Sequence, residues 1–284
     1  MGVTPTATTV HPAPPLQVRT PRISFPDRID TSWHPLFPEF AAAANSVSLL
    51  MPHVEPYVAR ATLAVRDQLD EELRHTATAF AAQELQHQAL HRSLNQRMIA
   101  ATPALARVER AAAASYGLLE RRGDQRWSLA FAAASETVAF ALARWTERHI
   151  RLLFDDADDA VATLFLWHLA EEVEHKNVAF DVLVAVAPSR RRYLLAGLVS
   201  LACLALFTIA GTVVQLWSSR RIWSPVAWWR LLRWSISLCF ELLPDLFVGA
   251  TRNHHPSQFS DPTLLVAWLR GFDPATGQDP LRRR

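Results

Sequence analysis

The sequence predicts an all-α protein: a helical bundle followed by a C-terminal hydrophobic, membrane-associated helical segment. Three observations lead there. Ala-, Leu-, Glu- and Arg-rich runs repeat with helical period and are cut by short breaks, while no alternating strand pattern competes. Only 8 of the 284 residues are Gly, and no Gly-rich phosphate loop is present, which argues against Rossmann and P-loop folds. One uncharged apolar run, residues 194–219, exceeds the roughly 20 residues that a membrane-crossing helix needs.

Composition narrows the function. Half the residues are hydrophobic and one fifth are charged, which excludes a disordered or fibrous chain. Mean hydropathy is +0.05, high for a soluble globule, and Trp occurs ten times. A net charge of only +2 leaves no basic footprint for nucleic acid. The two cysteines, Cys203 and Cys239, lie in apolar stretches, which rules out a disulfide scaffold, a Cys-ligated zinc ribbon and an iron–sulfur cluster.

The elements follow in chain order. Residues 1–21, rich in Thr and Pro, read as a flexible leader without the apolar core of a secretory signal. Residues 22–188 read as the helical bundle, with helices at 39–50, 53–68, 70–100, 103–121, 126–151 and 157–186; Asp158 or Asp159 caps the last. Residues 189–252 form the hydrophobic segment. Arg190, Arg191 and Arg192 precede the apolar run and Arg220 and Arg221 end it, so the positive-inside rule sets no orientation. The stretch from Ile222 to Ala250 mixes Trp223, Trp228, Trp229 and Trp234 with charges, as a helix at a membrane surface does; the alternative is a hairpin buried in the protein's own core. Residues 253–284 read as a polar tail with one short helix near residues 262–271.

Four of the predicted helices carry acids or histidines on otherwise apolar stripes. Positions three, four and seven apart share a helix face. His168, Glu172 and His175 follow i, i+4, i+7 in the helix at 157–186. A carboxylate there is costly to bury unless paired or bound to metal. Glu171 sits at the stripe's edge, as a substitute or as a group orienting a ligand from behind, and Glu174 points away. Glu84 and His87 repeat the Glu-x-x-His spacing, with His91 one turn on, where it would orient a ligand from behind. Glu136 sits alone among Leu129, Ala132, Ala133, Phe140 and Ala143, and Glu55 lies near a helix start. His53 and His149 are expected to face outward; His254 and His255 fall in a late loop, at the site entrance or in solvent.

Two Glu-x-x-His pairs and two single Glu residues on four helices resemble the ligand set of ferritin-like carboxylate-bridged dimetal bundles. Carboxylates bridge two cations and offset their charge; an N/O field without thiolate suits iron or manganese, with zinc as an alternative. His168 completes His-x-x-x-Glu-x-x-His, which is similar to the p-aminobenzoate N-oxygenase group of di-iron enzymes, where the added His is a seventh ligand; otherwise it packs behind the site. The segments WHPLFPEF, SLLMPHVEPYVARA, QELQHQALH, SETVAF and WHLAEEVEHKNVAFDV, followed by an Arg-rich break and a long apolar run, resemble the bacterial proteins called predicted metal-dependent hydrolases over about residues 22–270. The resemblance implies a two-metal site carried by Glu55, Glu84, His87, Glu136, His168, Glu172 and His175.

Three functions are expected in turn. The first is O₂-dependent oxidation, oxygenation or desaturation, of a lipophilic small molecule at a di-iron site, with an electron donor as partner. The second is hydrolysis of an ester or amide, as the family's name suggests. The third is a non-catalytic metal-binding membrane protein. The expected location is the inner membrane, with the metal domain on the cytoplasmic side.

Overall fold

A computed structural model describes residues 16–251 and 254–280. Among the described residues it contains ten α-helices: α1 (Pro38–Ser48), α2 (Met51–Leu63), α3 (Glu71–Ala101), α4 (Leu105–Arg122), α5 (Gln125–Phe154), α6 (Asp159–His175), α7 (Val178–Val186), α8 (Arg190–Ser218), α9 (Pro225–Gly249) and α10 (Thr263–Gly271). No strand is present among them, only an isolated bridge between Asp273 and Gln278.

The helix starts have local causes. Asp70, Asp124 and Asp158 each accept a hydrogen bond from the first-turn backbone of α3, α5 and α6, and Ser189 and Ser224 do the same for α8 and α9. Inside α2, Pro56 has no N–H to offer the Pro52 carbonyl; Gln88 Nε2 of α3 donates to it instead, at 3.3 Å.

Helix α5 is the axis of the molecule. It packs against α2, α6, α7, α8 and α9. Its small residues Ala130, Ala132, Ala133, Ala134 and Ala143 are fully buried, which lets neighbours approach on all sides. Helices α2, α3, α5 and α6 surround a buried interior, and α1 bridges them to α8.

Three expectations are corrected. The helix expected at 157–186 breaks at Lys176 and Asn177 into α6 and α7; Lys176 Nζ is drawn away to the Phe259 carbonyl and to Asp261. Of the expected leader, residues 1–15 lie outside the described residues, but Arg19 is bound into the bundle by Glu171 and Glu174, and Phe25 is buried. The polar tail also folds back: Leu265 and Trp268 join the core, and Arg22 N donates to the Pro274 carbonyl at 2.9 Å. Gly277 closes that contact with φ +62°, in a place where any Cβ would meet the Arg22 carbonyl. The hydrophobic segment keeps its expected apolar character and touches the core on one side. Helix α8 is the one described helix long and apolar enough to cross a membrane, with mean hydropathy 2.3, yet it packs on α1 and α5, while α9 packs on α5.

Candidate metal centre

Helix α2 places Glu55, α3 places Glu84 and His87, α5 places Glu136, and α6 places His168, Glu172 and His175 in one buried region. Glu172 lies among all three imidazoles: 2.7 Å from His168 Nε2, 3.5 Å from His175 Nδ1 and 4.0 Å from His87 Nδ1. Glu84 is 2.8 Å from His175 Nδ1, Glu136 is 3.6 Å from the same atom, and Glu55 is 3.6 Å from His168 Nε2. Two groups of potential ligands result, Glu84, His87, Glu172 and His175 in one, Glu55, His91 and His168 in the other.

The hydrogen bonds behind the imidazoles dictate which ring nitrogen carries the proton. Gln83 Nε2 donates to the Gln17 carbonyl and to Glu174, both at 3.1 Å, so Gln83 Oε1 must accept from His175 Nε2 at 3.0 Å. Glu171 accepts from Arg19 at 2.8 Å and from His87 Nε2 at 3.1 Å. Asn95 Nδ2 donates to the Ser48 carbonyl, so its Oδ1 accepts the Ser48 hydroxyl at 2.7 Å; Ser48 Oγ then accepts from His91 Nδ1 at 2.8 Å, and His91 Nε2 accepts from His168 Nδ1 at 2.7 Å. His87 Nδ1, His175 Nδ1 and His168 Nε2 are therefore left as lone pairs, all turned toward the carboxylates.

Lone pairs facing lone pairs call for a cation. Glu55 Oε1 and Oε2, Glu84 Oε1, His87 Nδ1, Glu136 Oε2, Glu172 Oε2 and His175 Nδ1 are buried without a hydrogen-bond partner. Such groups are expensive unless something positive sits between them. The electrostatics agree. Burial, with Glu84 and Glu172 adding repulsion, raises the Glu55 carboxyl well above the usual range; burial, Glu172 and Glu84 do the same to Glu136. Burial and then the neighbouring His168 hold His87 and His91 well below the ordinary imidazole value. Burial opposes charge on His175, but Glu84 and Glu172 outweigh it and raise His175 well above that value. Burial likewise opposes the Glu172 charge and is outweighed by His168 and His175, which lower its carboxyl. The residues present thus fit metal ions: without one, protons must hold the cluster together.

Glu174 points away from the cluster, where it accepts from Arg19 and Gln83 in the layer behind His175. Some histidines behave otherwise than expected. His53 is half-buried rather than outward, and burial lowers it. His149 is likewise half-buried, its Nδ1 on the Trp145 carbonyl. His254 is buried against Phe259, and His255 pairs with Asp181 at 2.7 Å. Sequence reasoning missed Arg19, Gln83, Ser48 and Asn95. Asn95 had a signal: it lies one turn beyond His91 on the same face of α3.

A cavity of about 230 Å³ opens above the cluster. Its floor includes Glu55, Glu84, Glu136, His168 and Glu172; its walls come from α1, α2, α5, α6, α8 and α9 and are mainly apolar, among them Met51, Val58, Leu204 and Trp234. Comparison with curated proteins and with solved structures finds no match. A family model described as "Predicted metal-dependent hydrolase" matches residues 17–260, a span that takes in Arg19 and every residue of the cluster.

Proposed function

The chain belongs to the family of predicted metal-dependent hydrolases, and from that premise we propose a dinuclear metal enzyme that hydrolyses an ester or amide bond in a lipophilic small molecule. The observation that carries this reading is the set of unpartnered lone pairs at the floor of an apolar cavity. Glu55, Glu84, His87, Glu136, His168, Glu172 and His175 would hold the ions, with Glu172 between the three imidazoles. An oxygen-and-nitrogen donor set of this kind suits iron or manganese and tolerates zinc. When bound, the ions would supply Lewis acidity, polarising a carbonyl and acidifying a water.

The chain's own residues do the rest. Gln83, Glu171 and the His91–Ser48–Asn95 relay hold the imidazoles in one tautomer, so they need no reorganisation. The apolar walls desolvate the substrate and orient its hydrocarbon part. Glu55 has neither carboxylate oxygen hydrogen-bonded and lines the cavity, so among the residues that would hold the ions it stands at the border with the substrate.

A second reading, O₂-dependent oxidation of the same substrate with an external electron donor, is favoured by one observation. Apart from the cluster and His91, the polar groups on the cavity lining are the hydroxyls of Tyr116, Ser135, Thr146, Ser200, Thr208 and Ser235 and the indoles of Trp145 and Trp234, so the lining offers no cationic or amide side chain for an oxyanion. The experiment separates the two. Protein loaded with zinc or manganese under argon should cleave a long-chain p-nitrophenyl ester, and Glu55→Gln should lose that cleavage. No turnover under argon, with O₂ uptake by iron-loaded protein and reductant, would replace hydrolysis by oxidation. Neither activity in metal-loaded protein would leave a metal-binding protein without catalysis.

A further inference from the structure

Helices α8 and α9 have two working faces. Inward, Ser200, Leu204 and Thr208 of α8 and Leu231, Trp234 and Leu238 of α9 line the cavity above the metal centre. Outward, α8 presents Leu198, Leu206, Ile209, Val213 and Trp217, spaced as one helical stripe, and α9 presents Trp229, Leu232, Ile236, Phe240 and Phe247. These are large side chains left in the open: Ile209 is 62% exposed and Phe240 78%. An exposed apolar surface of this kind, broken on α9 by exposed Arg233, marks a partner or a membrane.

Two features select the membrane. Around the α8–α9 turn, exposed Trp217, Trp223, Trp228 and Trp229 sit beside exposed Arg220 and Arg221. Indole and guanidinium together match the headgroup level of an anionic bilayer, where rings and cations both find partners. The cavity is also continuous with this face. Ser235 lines it and is itself exposed, between Leu232 and Ile236 of the outward stripe, whereas the acids on the floor are buried. A mouth surrounded by apolar side chains opens more readily into hydrocarbon than into water. Because α8 also packs on α1 and α5, it cannot be surrounded by lipid; the arrangement suits a helix pair dipping into one leaflet.

We propose that α8 and α9 seat the protein on one leaflet of an anionic bilayer, and that a single hydrocarbon chain passes from the leaflet through the mouth beside Ser235 to the cavity. The seat is independent of the enzymatic reading; the passage rests on the lipophilic substrate proposed above. Inside the mouth, Thr208 Oγ1 is buried without a hydrogen-bond partner, a polar mark on an otherwise greasy wall. Thr208 lies eight positions after Ser200, about 12 Å along α8. Ser200 in turn meets Ser135, next to Glu136, at 2.9 Å. The chain would therefore run along α8 from Thr208 toward the acids.

The test uses the full-length protein and needs neither metal nor turnover. In sucrose-gradient flotation with phosphatidylcholine vesicles containing phosphatidylglycerol, the protein should float. The double variant Leu206→Glu, Ile209→Glu should stay at the bottom while keeping its helical circular dichroism. Arg220→Glu with Arg221→Glu should weaken binding to the anionic vesicles at least tenfold and leave binding to neutral ones little changed. An environment-sensitive nitrobenzoxadiazole label on Cys239, placed in a C203A background, should brighten on vesicle addition. A protein that remains at the bottom as a stable dimer, or whose Leu206→Glu, Ile209→Glu variant floats equally well, overturns the seat. For the passage, the fluorescent chain of cis-parinaric acid should bind wild type, and Thr208→Trp should bind it at least tenfold more weakly while still floating. Undiminished uptake by Thr208→Trp overturns the passage. A wild type that floats but takes up no chain overturns both the passage and the lipophilic substrate, and leaves the seat standing.

Discussion

Glu136 sits in a turn of α5 made of alanines, 4% exposed, with Oε2 unpartnered. An acid kept there for stability would be a poor choice, because burying an unpaired carboxyl costs more than it returns. Two predictions follow at the residue scale. Glu136→Leu should lose at least one bound metal, read by elemental analysis, yet the metal-free variant should resist urea at least as well as metal-free wild type. Full metal content in the variant would remove Glu136 from the site. Gln83→Leu deletes the acceptor that holds His175 Nε2–H; metal affinity should fall about 10–100-fold, measured by competition with a chelating dye. The residues facing the cluster were legible because Glu-x-x-His is a local spacing on one helix face. The residues behind it were not: Arg19 reaches Glu171 across 152 positions and His175 reaches Gln83 across 92, and no local pattern encodes such pairs.

Helix packing is decided by a few small or charged positions. Gly211 of α8 lies so close to α1 that a Cβ there would sit 2.5 Å from Ser46 Oγ. Gly211→Val should force the two helices apart and destabilise by about 1–3 kcal/mol in denaturant unfolding. On the other side of the bundle, Arg144 of α5 bonds Glu241 at 2.8 Å and Asp245 at 2.6 Å of α9. Arg144→Leu leaves two largely buried acids facing each other across one helical turn; the loss should be about 3 kcal/mol by the same measurement. Arg148 gives Glu241 a second partner and tempers that loss. Most helix limits were legible within a few residues, since caps such as Asp124 and Asp158 and breaks such as Pro188 act locally. The break between α6 and α7 was not, because neither Lys176 nor Asn177 is a Pro or Gly and both keep right-handed helical dihedrals, so no local stop signal marks it.

At the scale of the whole molecule, the centre ties α2, α3, α5 and α6 together at a point where the metal-free chain holds facing acids. Metal should therefore act as a fold stabiliser. At a hundredfold excess over its dissociation constant it adds about 2.7 kcal/mol, and chelation should lower Tm by roughly 5–10 °C in a protein of this size. An unchanged Tm on chelation, with metal shown to leave, would mean that the centre carries none of the fold's stability.

Local patterns in the chain were enough for an all-α fold, most helix limits and the seven side chains whose spacing suits ions, because periodicity, caps and Glu-x-x-His all act within two turns of one helix. Packing settled the rest. It turned the supposed leader and tail inward, put Arg19 and Gln83 behind the ligands, set each imidazole tautomer, and gave α8 one face toward the bundle and one toward the outside. These outcomes depend on which distant surfaces meet, and contact between segments far apart in the chain is settled by packing the whole core at once.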